Sequence, residues 1–141
     1  MNGDRGNKVT LKFGHGDIYI GDLVGITREG KGFYKWKKSG NVYEGSWSNG
    51  YKHGFGTFTW KEDGSKWVGI WNKDSRYKGI EYDKKGKILK QGIWKNGDFK
   101  SEKVNLKSLK SSNNSIQETD INHDICLKAA DYKGCMKYQN R

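Results

Sequence analysis

Proline is absent from all 141 residues, and cysteine occurs only twice, at Cys126 and Cys135. With both cysteines near the C-terminus, the first hundred residues must fold without a disulfide. The pair is expected as two free thiols; a bridge would require Gly134 to turn the chain back. No apolar run approaches the roughly 20 residues that a membrane-spanning helix requires, which excludes an integral helical membrane protein. Apolar residues of all kinds make up 33% against 30% charged, so a core of branched aliphatics would be thin. Met1 leads into Asn2, Gly3, Asp4 and Arg5 rather than a basic start and an apolar stretch. No signal peptide or lipidation motif is visible, and the expected location is the cytoplasm, with a peripheral position at a membrane as the alternative.

What is present is glycine, aromatic residues and positive charge. There are 20 glycines, 13% of the residues are aromatic, and the net charge is +11. This fits neither a disordered polyelectrolyte nor a helical bundle. The positive surplus lies mostly before residue 101 and favours loose, salt-screened association with polyanions.

The glycines and rings repeat. Tyr19-x-Gly21, Tyr43-x-Gly45 and Trp67-x-Gly69 stand 24 residues apart, and Gly92 with Trp94 supplies a fourth copy 23 residues after Gly69. Two residues past each glycine comes Leu23, Trp47, Trp71 or Trp94. At a common offset Gly30-x-Gly32 matches Gly54-x-Gly56, Tyr34 matches Phe58, and Trp36 matches Trp60. Within each unit aromatic residues alternate with other types, and Asn49-Gly50 and Asp63-Gly64 are turn signals. Each unit therefore reads as one β-hairpin, and strand 2 of one unit can pair with strand 1 of the next, so that the stack is the folding unit. Glycine weakens a strand unless something requires it. A large ring from a neighbouring strand lying over the Cα is the expected reason at Gly21, Gly45, Gly69 and Gly92.

Tyr-x-Gly-x-Trp followed by Asn-Gly, Gly-x-Gly, an aromatic pair and Asp-Gly resembles the MORN (membrane occupation and recognition nexus) repeat. The match is fullest from Tyr43 to Gly64, through Gly45, Trp47, Gly54, Gly56, Phe58 and Trp60. It is good from Tyr19 to Gly40 and degenerate from Trp67, where Asn72-Lys-Asp-Ser-Arg-Tyr77 lacks the turn glycine. The last unit, Gly92-Ile-Trp94-Lys-Asn-Gly97, stops after its first strand. The expected fold is an all-β array: an elongated, twisted, single-layer antiparallel sheet of stacked hairpins over residues 2–100, with a short α-helical C-terminal tail. Its units are a partial one over 2–16, three over about 17–40, 41–64 and 65–88, and a partial one over 89–100. Opening inside a half unit predicts either chain upstream or a cover over Val9–Phe13. Residues 101–118 have the composition of a polar linker, and 119–141 are expected to hold the short helix, capped by Asp124.

The resemblance implies a non-enzymatic recognition or scaffold module, since MORN arrays are associated with phospholipid headgroups, protein partners and homodimers. No cofactor is expected. His15, His53 and His123 lack metal-ligand spacing, and the glycine pairs are not followed by the Gly-Lys-Ser/Thr of a phosphate loop. A single-layer sheet cannot bury both faces, so one face of rings should pack and the second should serve a partner. Lys35, Lys37, Lys38, Lys52, Lys61, Lys66, Lys84, Lys85 and Lys87 gather near the turns. Among them Lys37, Lys38, Lys84 and Lys85 are the leading candidates for contact with an anionic phospholipid surface. The partner is thus expected to be a protein, anionic phospholipid headgroups or both; nucleic acid is not favoured. The alternative is a homodimerising structural protein that binds no lipid.

Overall fold

Tight turns shape the chain. At Asn49-Gly50 both residues have positive φ, 51° and 84°, and Asn96-Gly97 repeats this at 51° and 85°, the backbone of a two-residue turn whose twist matches that of the strands it joins. Lys73-Asp74 adopts the same conformation, at 46° and 73°, without a glycine. The unit beginning at Trp67 therefore closes its hairpin in spite of its degenerate sequence.

The computed structural model describes residues 8–113. Nine strands follow one another: β1 (Val9–Lys12), β2 (Ile18–Val24), β3 (Thr27–Lys35), β4 (Val42–Ser48), β5 (Tyr51–Thr59), β6 (Lys66–Asn72), β7 (Ser75–Tyr82), β8 (Ile88–Lys95) and β9 (Asp98–Ser101). Every strand pairs antiparallel with its sequence neighbour, so the sheet order is the chain order. The expected stack of hairpins is what forms. Contrary to expectation the last unit does not stop after its first strand: Asp98–Ser101 returns along β8, setting Trp94 opposite Phe99.

One row of the register explains the repeated glycines. Gly21, Gly32, Gly45, Gly56, Gly69, Gly79 and Gly92 are successive partners across β2 to β8. A ring closes over every second member: Tyr19 lies on Gly32, Tyr43 on Gly56 and Trp67 on Gly79. The expectation of a ring from the neighbouring strand over Gly21, Gly45 and Gly69 is corrected by one strand. At those positions the space for a side chain is taken mainly by the partner strand's backbone, and at Gly92 by the carbonyl of Lys100.

The two faces differ. One carries a buried aromatic row of Tyr19, Tyr34, Tyr43, Trp47, Trp67 and Trp71, edged by half-buried Trp36, Phe58, Trp60 and Trp94. The other is mainly aliphatic, and over its C-terminal half Ile70, Tyr77 and Ile80 pack with Val104 and Leu109. The half-buried rings Trp36, Phe58, Trp60 and Trp94 thus share a face with the packed row, while Phe55, Tyr77 and Tyr82 pack on the other.

Leu109 belongs to α1 (Leu106–Asn113), a helix inside the stretch expected to be a linker. After β9 the chain folds back on the aliphatic face, where the Val104 N–H donates to Gln91 Oε1 (2.9 Å) and Lys78 Nζ pairs with Glu102 Oε2 (3.1 Å). Asn105 caps the helix by accepting the Ser108 N–H at 3.1 Å. Leu106, Leu109 and the preceding Val104 suffice to dock it, because the sheet beneath already supplies Phe55, Ile70 and Ile80. The helix expected over 119–141, with Cys126, Cys135 and His123, lies outside the described residues.

Candidate recognition surface

Alternation along the strand sends Tyr43 and Trp47 to the same face, across a register irregularity between Gly45 and Trp47, and the Trp47 indole is buried there. There it meets Tyr43 edge-on, with centroids 5.2 Å apart, and donates through Nε1 to the Gly32 carbonyl at 3.2 Å. One unit later Trp71 repeats both features, edge-on to Tyr43 at 5.5 Å and donating to the Gly56 carbonyl at 3.2 Å. Trp67 continues the row to Trp71 and to Trp94, at 5.0 and 5.4 Å. Edge-to-face contacts of this kind fix ring orientation as well as burying area. Burial pushes the Tyr43 hydroxyl well above its usual pKa and that of Tyr19 up to about 12, so these phenols remain neutral hydrogen-bond donors, to the Ser46 and Asp22 carbonyls.

Three cations lie on this ring floor at the repeat interval. The Arg28 guanidinium sits 4.8 Å from the Trp47 ring centroid and 5.1 Å from that of Tyr34. Lys52 Nζ lies 4.7 Å from Trp71, 4.9 Å from Phe58, 5.4 Å from Trp36 and 5.9 Å from Tyr43. Arg76 lies 5.3 Å from Trp94. Burial among the rings lowers the Lys52 pKa, partly offset by Asp74. The Lys52 N–H donates to Asp74 Oδ1, and the Asp74 N–H to the Lys52 carbonyl, both at 2.8 Å. In the fourth unit Phe99 takes the equivalent place opposite Trp94, and Lys90 Nζ lies 5.3 Å from its ring.

Between the second and third cations the face is hollow. A cavity of about 710 Å³ is floored by Phe58, Trp60, Trp71 and Trp94 and flanked by Lys52, Lys73, Arg76 and Lys95, with Asp74 as the carboxylate in its lining. Such a space offers apolar contact below and positive charge at the sides.

The four leading lysines lie elsewhere. Lys37 and Lys38 are exposed in the β3–β4 turn, and Lys84 and Lys85 in the β7–β8 turn, all on one edge of the sheet. The structure separates the two pairs by the β5–β6 turn, which contributes Lys61. Lys37 lies across Gly16, Lys61 across Gly40 and Lys84 across Gly64, each over the preceding turn, so three lysines form a row along that edge. Sequence analysis grouped Lys52 with the turn lysines and missed Arg28 and Arg76; the recurrence 28, 52, 76 was the available signal.

Of the described histidines, both are engaged by neighbours. His15 Nε2 pairs with Asp17 Oδ2 at 3.0 Å. His53 is buried, its Nδ1 accepting the Lys73 N–H at 3.1 Å, and burial lowers its pKa to about 4.

The family model described as the MORN repeat matches residues 19–40 and 43–65, the hairpins β2–β3 and β4–β5. No match was found among curated proteins.

Proposed function

The chain is a MORN repeat protein, its repeats of a kind generally involved in membrane or protein binding, and from that premise we propose that it is a non-catalytic recognition module whose ring face receives a segment of a protein partner. The observation that carries this reading is the cavity of about 710 Å³ between Lys52 and Arg76, floored by indoles and flanked by cations. Aromatic and arginine side chains around a concave apolar floor are the composition of binding hot spots. The test is selection of random peptides displayed against the full chain, followed by binding to a Trp60→Ser/Trp94→Ser variant. Enriched peptides should lose about tenfold or more in affinity for the variant, as removal of a hot-spot ring does. Peptides that bind the variant as well as wild type, or no enrichment, overturn the reading.

A second reading rests on the lysine row. Lys37, Lys61 and Lys84 stand on one edge with Lys38 and Lys85 beside them, and each lysine near an anionic bilayer contributes about 1 kcal/mol. This supports a peripheral contact with anionic phospholipid that falls with salt. Replacing all five by glutamate should abolish flotation with phosphatidylserine vesicles; unchanged flotation removes this reading.

A further inference from the structure

The cation ladder also limits what can occupy the ring face. Arg28, Lys52 and Arg76 stand on alternate strands, β3, β5 and β7, at equivalent places facing Leu23, Trp47 and Trp71. Adjacent strands lie roughly 4.7–4.9 Å apart, so the backbone positions carrying the cations recur about every 9.4–9.8 Å across the sheet. One positive charge thus recurs per step, and of the three the Arg28 guanidinium also donates to the Gly50 carbonyl at 2.8 Å.

Few backbone conformations repeat at that interval with side chains on one side. A β-strand rises about 3.3 Å per residue, but its side chains alternate, so residues three apart point to opposite sides. An α-helix advances about 10.5 Å over seven residues and falls roughly 2 Å out of step across three cations. A polyproline II segment has three residues per turn and rises about 3.1 Å per residue, which brings every third side chain to the same side after about 9.3 Å. Such segments are also the ones that dock on aromatic-lined grooves, because their preformed backbone loses little entropy on binding.

We propose that the occupant of the ring face is a polyproline II segment of a partner protein bearing an acidic residue at every third position, one for each of Arg28, Lys52 and Arg76. This rests on the reading of the ring face as a protein-binding trough. Charge supports it: Lys52, Lys73, Arg76 and Lys95 flank the cavity against the single carboxylate of Asp74. Arg76 meets Glu81 only at 3.9 Å, with about a third of its side chain exposed, which leaves it open to a better-placed carboxylate. The Lys52 ammonium, held by rings, is half-buried, and pairing there is stronger than in bulk water.

The probes are three fluorescein-labelled seven-residue peptides of identical composition, three glutamates and four prolines. Glutamate stands at positions one, four and seven in the first, at one, three and five in the second, and at one, two and three in the third. Anisotropy is read with the full chain at near-physiological salt. The first peptide should bind about tenfold or more tightly than its isomers, the gain expected of matched charge positions. Lys52→Gln and Arg76→Gln should each erase that preference while the circular dichroism stays unchanged, and Lys84→Gln should preserve it. Isomers binding within twofold of one another overturn the spacing; if all three are nevertheless lost with Trp60→Ser/Trp94→Ser, the trough itself stands. If no peptide binds, the inference fails. If display selection also yields nothing while phosphatidylserine vesicles do bind, the trough reading falls with it in favour of the lysine edge.

Discussion

The phenol ring of Tyr43 occupies the place where Gly56 would carry a side chain. Its hydroxyl passes over the strand and donates to the Ser46 carbonyl at 2.8 Å. The glycine is therefore half of a contact, and alanine there must displace the ring or part the strands. Overpacking of a fixed site costs about 1–3 kcal/mol and at times more, and the upper end applies here because Tyr43 is fully buried. Gly56→Ala should lower the thermal midpoint sharply. Gly14→Ala, where nothing lies within 4 Å of an added methyl, should stay within about 0.5 kcal/mol of wild type. Equal melting of the two variants contradicts this account of the glycine row.

His53 makes stability depend on acid. It is neutral in the folded chain down to about pH 4, because burial first, and Lys73 second, disfavour its charge. Unfolded, it returns to the ordinary value of 6.5. Between these values the unfolded chain binds the extra proton, so the stability of the fold decreases as pH falls from about 6.5 toward 4. From pH 7 to 4.5 the loss is on the order of 2 kcal/mol. Denaturant titrations should show it in wild type and not in His53→Gln. Carboxylates such as Asp17 and Asp63, whose pKa values are also lowered, act equally in both proteins and cancel.

Period and turn chemistry made the hairpin stack legible, since Tyr-x-Gly-x-Trp and Asn-Gly recur in place and each hairpin needs only its neighbour. Two parts of the site were less so. Lys52 stands beside the Asn49-Gly50 turn in sequence, so it reads as a solvated turn lysine; only the register with Trp47 turns it onto the rings. Arg28 and Arg76 carry the 24-residue interval, but a cation against indoles has no pattern of its own within one unit. β9 was hidden because Asp98–Ser101 offers a single aromatic in four residues, its pairing supplied by β8. α1 was hidden for a related reason: its sequence is polar, and the apolar surface that holds it belongs to strands 25 or more residues earlier.

The turn at Lys73-Asp74 stores strain that its counterparts avoid. Left-handed backbone costs a residue with a Cβ about 1–2 kcal/mol, with asparagine and aspartate penalised less. Lys73 sits at φ 46° with no such side chain, whereas Asn49 holds the same place one unit earlier at 51°. Lys73→Asn keeps the backbone N–H that His53 accepts and should raise stability by about 0.5–1 kcal/mol in thermal or urea melts. Lys38→Asn, on the opposite edge and without positive φ, should change nothing measurable.

Leu109 decides whether the aliphatic face stays closed. It is 5% exposed and, with Val104, covers Ile70 and Ile80 on the sheet. The helix that carries it spans Leu106–Asn113, too short to persist unless docked. Leu109→Asp puts a charge into that contact and should release α1, exposing a contiguous apolar patch on β5–β7. A patch of that kind on a single-layer sheet is expected to find another copy of itself. The variant should therefore sediment as a concentration-dependent dimer or larger species that bulk salt does not dissociate. It should still bind ring-face peptides, because Lys52, Trp71 and Trp94 lie on the other side of the sheet. A Leu109→Asp protein that remains monomeric with unchanged stability would mean that α1 contributes little to covering that face.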